Sequence, residues 1–288
     1  MRLYTIRHNG EEKVAVRNEH GMVMLDSVDI RVSDMNELIR RYDELSDLIR
    51  TRMETADDVL KDGRYEILAP VPVPLQDIIC LGVNYKEHIE ETVNILDFTK
   101  KKDAVYFSKR VNRANDPDGV IPVYDFVDSL DHEVELGVIL KKDAIDVSVE
   151  DAGEYILGYT IINDVSARNL QFKHQQWYRG KSLDGYTPMG PCIVTSDEIG
   201  DPHDLAIRCF INDEMRQDSN TSLMITTVEE AISELSQGMT LKAGTIIATG
   251  TPGGVCMGMK DPVFLKGGDI VRCEIEGIGQ LVNRCGSV

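Results

Sequence analysis

Residues 131–136 read DHEVEL, and LGVIL closes the run at 136–140. Asp131, Glu133 and Glu135 alternate with His132, Val134 and Leu136. A strand turns successive side chains to opposite faces, so the three acids share one face and His132, Val134 and Leu136 the other. Three neighbouring carboxylates repel one another and resist leaving water. Two readings follow: an edge strand whose acids point into solvent, or a strand whose acids are compensated by a hard divalent cation.

Working outward, the segment ILGYTIINDVSARNLQ (156–171) brings Asp164 to the end of a β-rich run, where it is a candidate third carboxylate. Arg168 and Gln171 lie four and seven residues on; in a helical segment all three would share a face. On the other side, DIICLGVNYKEHIEETVNIL (77–96) reads as a buried strand ended by Gly82, then a helix with Tyr85, Ile89, Val93 and Leu96 as its apolar stripe. Asn84 and Glu87 have the spacing of a capping box. His88 and Glu91 are three apart and so neighbours on one side of that helix, either a surface ion pair or a general-base dyad. The segment 83–97 is a candidate lid. Lys109, Arg110 and Arg113 form a basic cluster, read as a solvated loop or an anion-holding patch. Lys181 falls between Gly180 and Ser182, which predicts a loop position.

Before residue 70, LYTI, VAV and MVML are separated by Asn9-Gly10 and Glu19-His20-Gly21, which predicts a three-stranded meander. Met35, Leu38, Ile39, Tyr42, Leu45, Leu48 and Ile49 predict one helix over 35–54. APVPVPLQD (69–77) carries alternating prolines that disfavour helix, placing a domain boundary there: a small unit at 1–70 and a larger one at 71–288. Beyond 190, LAIRCFIND turns at Asn212-Asp213, a helix is predicted at 227–236, and Val271, Cys273 and Ile275 share one face of a closing hairpin. The turn GTPGG lacks either nucleotide-binding glycine pattern. The fold class is α+β, mainly β.

Composition narrows the function. With 49 acidic against 31 basic residues the formal charge is −18, which disfavours nucleic acid and anionic membrane surfaces as partners. No run long enough to span a bilayer occurs. The 6 cysteines form no CxxC and fit neither a zinc site nor a disulfide framework, pointing to reduced thiols and a cytoplasmic protein.

Taken together, six stretches resemble the fumarylacetoacetate hydrolase family: GVNYKEHIEE, DHEVELGVIL, GYTIINDVSARNLQ, GKSLDGYTPMGP, IATGTPGGV and GDIVRCEIEGIGQLVN, in the family's order over about residues 76–285. The resemblance implies a mixed β-roll, commonly dimeric, with the first 70 residues similar to a small N-terminal domain. It implies Mg²⁺, with Mn²⁺ or Ca²⁺ as substitutes, held by Glu133, Glu135 and Asp164. It places His88 and Glu91 as a catalytic dyad, Lys181 facing the reacting oxygen, and Arg168, Gln171 and Thr251 near the substrate. Leu81 stands where full-length members carry a further Asp ligand, which points to the shorter bacterial-type members. The implied substrate is a small anionic 2-oxo acid that reacts through a metal-bound enolate. Hydrolytic C–C cleavage of an acylpyruvate is the leading expectation. The alternatives are isomerisation, tautomerisation or decarboxylation of oxaloacetate or a hydroxymuconate-type diacid, and, from another class, a non-catalytic metal-stabilised binding protein.

Overall fold

The computed structural model describes residues 1–92, 103–174 and 176–287. The chain opens with β1 (Arg2–His8), β2 (Glu11–Asn18) and β3 (Gly21–Met24), then α1 (Met35–Arg40), α2 (Tyr42–Glu54) and β4 (Glu66–Ile67). Next come β5 (Ile78–Gly82), α3 (Lys86–Thr92), β6 (Val105–Lys109), β7 (Val120–Pro122), β8 (Leu130–Asp131) and β9 (Val134–Leu140). β10 (Ile156–Asn163), β11 (Ser166–Ala167), α4 (Arg168–Lys173), α5 (Tyr178–Lys181) and β12 (Met189–Thr195) follow. The chain closes with β13 (Ala206–Ile211), β14 (Glu214–Asn220), α6 (Val228–Ser236), β15 (Ile246–Ala248), β16 (Ile270–Ile275) and β17 (Gly279–Gly286).

One large sheet runs β3-β2-β1-β12-β10-β9-β15-β5-β6, with β4 paired to β1; a second runs β14-β13-β16-β17-β7. β15 pairs parallel with β5, and β17 with β7. The acidic strand β9 therefore lies in the interior of the large sheet, between β10 and β15, and every residue from Val134 to Leu140 is buried. That removes the solvated-edge reading. Val134, Leu136 and Val138 pack into a core shared with Ile207, Val271, Cys273 and Ile275 of the second sheet. Ile139, on the opposite face, joins Leu38, Ile49 and Ile193 in a second core.

The expected meander forms, with Asn9 and Gly10 both at positive φ in its first turn. Residue 70 marks no break in the sheet: β1 pairs antiparallel with β12 through Leu3 and Ile193, and Leu3 and Val14 share a core with Ile139 and Ile246. The helix expected over 35–54 is two helices. At Arg41 the backbone leaves helical geometry (φ −107°, ψ 10°) and the guanidinium clamps Glu37 and Glu44. Asn84 does not cap α3 in the expected way. Its amide instead donates to the Thr226 and Thr249 carbonyls and accepts from Thr226 N. Val93 and Leu96, and residues 93–97 of the candidate lid, lie outside the described residues. All six cysteines are free and buried. Among the described residues no helix is long and apolar enough to cross a membrane.

Candidate active site

Two residues, His132 and Glu133, form a gap between β9 and β8, which pairs with β11 in a two-stranded sheet of its own. Gln217 of β14 spans it, its Oε1 accepting from Val134 N (3.1 Å) and His132 Nδ1 (3.2 Å). Its Nε2 donates to Thr251 Oγ1 (2.7 Å) and the Pro252 carbonyl (2.9 Å). Opposite, β10 pairs with β9 in the register Glu135 to Ile162, so Asp164 emerges beside Glu133; Asp164 N donates to Glu133 O (2.8 Å). Oxygens of Glu133, Glu135 and Asp164 thus lie within 4.8 Å of one another, all three residues buried.

Charges this close repel by at least about 3 kcal/mol per pair at an effective dielectric near 20, so compensation is required. Lys181 Nζ bridges Glu133 Oε2 (2.6 Å) and Asp164 Oδ2 (2.7 Å). Lys109 Nζ spends its three protons on Asp164 Oδ1 (2.5 Å), Val165 O (3.2 Å) and Tyr186 O (2.5 Å). Arg168 donates from Nε to Asp131 Oδ2 (2.8 Å) and from Nη1 to Gln171 Oε1 (3.0 Å). Its Nη2 lies 2.6 Å from Glu133 Oε1 as an ion-pair contact outside hydrogen-bond geometry. Burial pushes the Asp164 carboxyl up, but Lys109 and Lys181 outweigh it and hold the group below its ordinary range. Burial, then Asp164 and Glu133, push Glu135 well above its ordinary value. Four buried carboxylates, counting Asp131, face three cations. The residual negative charge and the all-oxygen donor set fit a hard divalent ion on Glu133, Glu135 and Asp164.

A second cluster, Asp131, His132 and Cys256, is equally compact. Asp131 accepts from His132 N and Cys256 N at Oδ1, and from Arg168 Nε and Met257 N at Oδ2. With both oxygens filled by four donors it fixes Arg168 and the 256–257 turn, and offers nothing to an ion.

α3 supplies the remaining chemistry. His88 Nδ1 lies 2.7 Å from Glu91 Oε1; a carboxylate accepts, so Nδ1 is the donor of this pair. His88, Glu133, Glu135, Arg168, Gln171, Lys181 and Thr251 all line one small cavity of about 20 Å³, closed by Leu81, Phe107, Trp177 and Met257. A wider open cleft of about 800 Å³ lies elsewhere, beside Arg7, Arg17 and Gln280. Its two arginines are neutralised by Glu66 and Asp62, so the small cavity is the chemically equipped one.

The candidate residues from sequence meet, with changes of setting. Lys181 ends a four-residue helical turn rather than sitting in a loop. Asp164 precedes β11 and shares no helix face with Arg168; only Arg168 and Gln171 are helical neighbours, on α4. The Thr251 hydroxyl donates to Val134 O (2.9 Å). Lys109 is neither solvated nor part of an anion patch: it is buried and holds Asp164. Its signal was strand alternation, since Lys109 shares a face with Phe107, which lines the cavity. Gln217 had no comparable signal.

Two β-sheets around a buried carboxylate cluster and a His–Glu pair define a class of enzymes rather than a binding module. Residues 77–285 match the family model described as fumarylacetoacetate (FAA) hydrolase C-terminal, and the chain belongs to the fumarylacetoacetate hydrolase family. It is 42% identical over 219 residues to the oxaloacetate tautomerase YisK of Bacillus subtilis, covering 76% of this chain and 72% of that one. A fumarylacetoacetate hydrolase from Exiguobacterium antarcticum superposes with a TM-score of 0.85 at 36% identity, covering 100% of both chains. The maleylpyruvate hydrolase of Sphingobium sp. SYK-6, in complex with manganese (II) ion and pyruvate, superposes with a TM-score of 0.81 at 25% identity, over 100% of this chain and 99% of that one. Family members depend on a divalent metal.

Proposed function

We propose that this chain is an isomerase of a small 2-oxo dicarboxylic acid, interconverting the enol and keto forms of an oxaloacetate-type substrate with Mg²⁺, or Mn²⁺ in its place. The observation that carries this reading is the His88–Glu91 pair, joined through Nδ1, in the same small cavity as the carboxylate cluster. Glu133, Glu135 and Asp164 would hold the ion, which supplies Lewis-acid polarisation of the 2-oxo group. His88 Nε2 takes a proton from the substrate carbon and returns it to the other site of the enol–keto pair. Glu91 fixes the imidazole tautomer and stabilises the imidazolium. Lys181 places an ammonium beside the oxygen on which negative charge develops. The charge count suits an anion: four carboxylates against Lys109, Lys181, Arg168 and a divalent ion leave one net positive charge.

Proton transfer needs only the oriented His88–Glu91 pair, whereas hydrolysis needs a placed water in addition, and this favours the first reading. The oxaloacetate tautomerase name of the YisK relative supports the same choice. Hydrolytic C–C cleavage is the second reading, favoured by the maleylpyruvate hydrolase neighbour. The deciding experiment incubates enzyme and Mg²⁺ with oxaloacetate and with an acylpyruvate. Enol absorbance and deuterium exchange at the substrate carbon are followed for the first, pyruvate release for the second. Rapid exchange that His88→Ala abolishes is the expected result. Pyruvate release without accelerated exchange would replace isomerisation by hydrolysis.

A further inference from the structure

The glycine-rich turn GTPGG matches no nucleotide pattern, and of its residues only Thr251 lines the cavity. Its geometry assigns the rest of it a task. Gly254 N donates to Glu91 Oε2 at 2.7 Å, so the carboxylate that holds His88 is itself held by this turn. Gly254 sits at φ +105°, and a methyl there would lie 1.9 Å from the Arg216 carbonyl; only glycine presents this N–H. A methyl on Gly253 would lie 3.1 Å from Glu87 Cβ. One on Gly258 would lie 2.5 Å from both Glu91 Cδ and Oε2. Three glycines thus form a socket fitted to the side chains of α3. The same turn is anchored to the carboxylate strand, through Thr251 Oγ1 to Val134 O and through Cys256 N and Met257 N to Asp131.

We infer that the turn 253–258 is a positioning element for the His88–Glu91 pair: it seats Glu91 through the Gly254 N–H and the space left at Gly258, and ties the pair to the carboxylate cluster. The inference rests on the proposed role of the dyad. Gly258→Ala is the informative change, because the three nearest atoms to the new methyl, Cδ, Oε2 and Cγ, all belong to the flexible Glu91 side chain, which can shift without the backbone moving.

The test is a double-mutant cycle of wild type, G258A, E91A and G258A/E91A, read by kcat for oxaloacetate enol–keto conversion, melting temperature and Mg²⁺ affinity by calorimetry. G258A is expected to lower kcat by about 10- to 100-fold through misplacement of Glu91, with melting temperature and Mg²⁺ affinity at wild-type values. In the E91A background the methyl has nothing to displace, so G258A/E91A should match E91A. Unchanged kcat in G258A, a further loss on adding G258A to E91A, or a fall in melting temperature that persists in the double variant would each overturn the inference. Wild-type turnover by E91A would remove the dyad reading itself, and the inference with it.

Discussion

Lys109→Met tests the electrostatic account of the site most directly. The ammonium is 1% exposed and spends every proton, on Asp164 and on the carbonyls of Val165 and Tyr186. Methionine has similar length but no charge and no donor. Removing one partner of a buried ion pair costs about 3–5 kcal/mol, because the other charge stays buried without compensation. Lys181 still touches Asp164 at Oδ2, which puts the expected loss at the lower end, about 3 kcal/mol. At about 2–4 °C per kcal/mol for a chain of this size class, the melting temperature should fall by roughly 6–12 °C. Two further results follow from the charge count. K109M leaves the cluster one unit more negative, so Mg²⁺ should raise its melting temperature more than that of wild type. Asp164→Asn added to K109M should recover part of the loss, since no buried charge is then stranded. The assay is thermal unfolding of wild type, K109M, D164N and the double variant, each with EDTA or Mg²⁺. A melting temperature within about 2 °C of wild type for K109M, or strict additivity in the double variant, would refute the pairing of Lys109 with Asp164 as a source of stability.

Glu135→Gln should weaken Mg²⁺ binding by about tenfold or more while leaving the EDTA-treated protein as stable as wild type or more so, because burial and its acidic neighbours already disfavour the ionised form; calorimetry and thermal shift check both. Gln217→Leu should destabilise by about 2–4 kcal/mol, since it strands buried groups on both the 132–134 gap and the 251–252 turn, and urea unfolding reads it. His203 Nε2 pairs with Glu229 at 2.7 Å, which raises the His203 pKa; burial opposes this. The contribution is fully present below the unfolded value near 6.5 and is lost as pH rises through the higher folded one. Replacing His203 by Ala should therefore cost up to about 1 kcal/mol at pH 6 and much less at pH 9, measured by unfolding at the two pH values.

Much of this protein was legible in the chain. Alternation over residues 131–136 placed the acids on one face and Val134 and Leu136 on the other, and spacing alone put His88 within reach of Glu91. Turn chemistry located the hairpins at Asn9-Gly10 and Asn212-Asp213, because positive φ is a local demand that few residues meet. Ordered motifs supplied the family. What sequence left open was non-local. Whether DHEVEL faced water or a core depended on which strands flanked it, and β10 and β15 come from distant parts of the chain. Lys109 and Gln217 act on groups 55 and 83–85 residues away; strand alternation sets Lys109 on the face of Phe107 but does not name its partner, and no local pattern marks Gln217. β1 pairs with β12 across the proline-rich linker that locally reads as a boundary, a contact no local pattern announces. Periodicity and turns are properties of neighbours in sequence; compensation of buried charge belongs to neighbours in space, and only the tertiary structure decided which cations meet the three carboxylates.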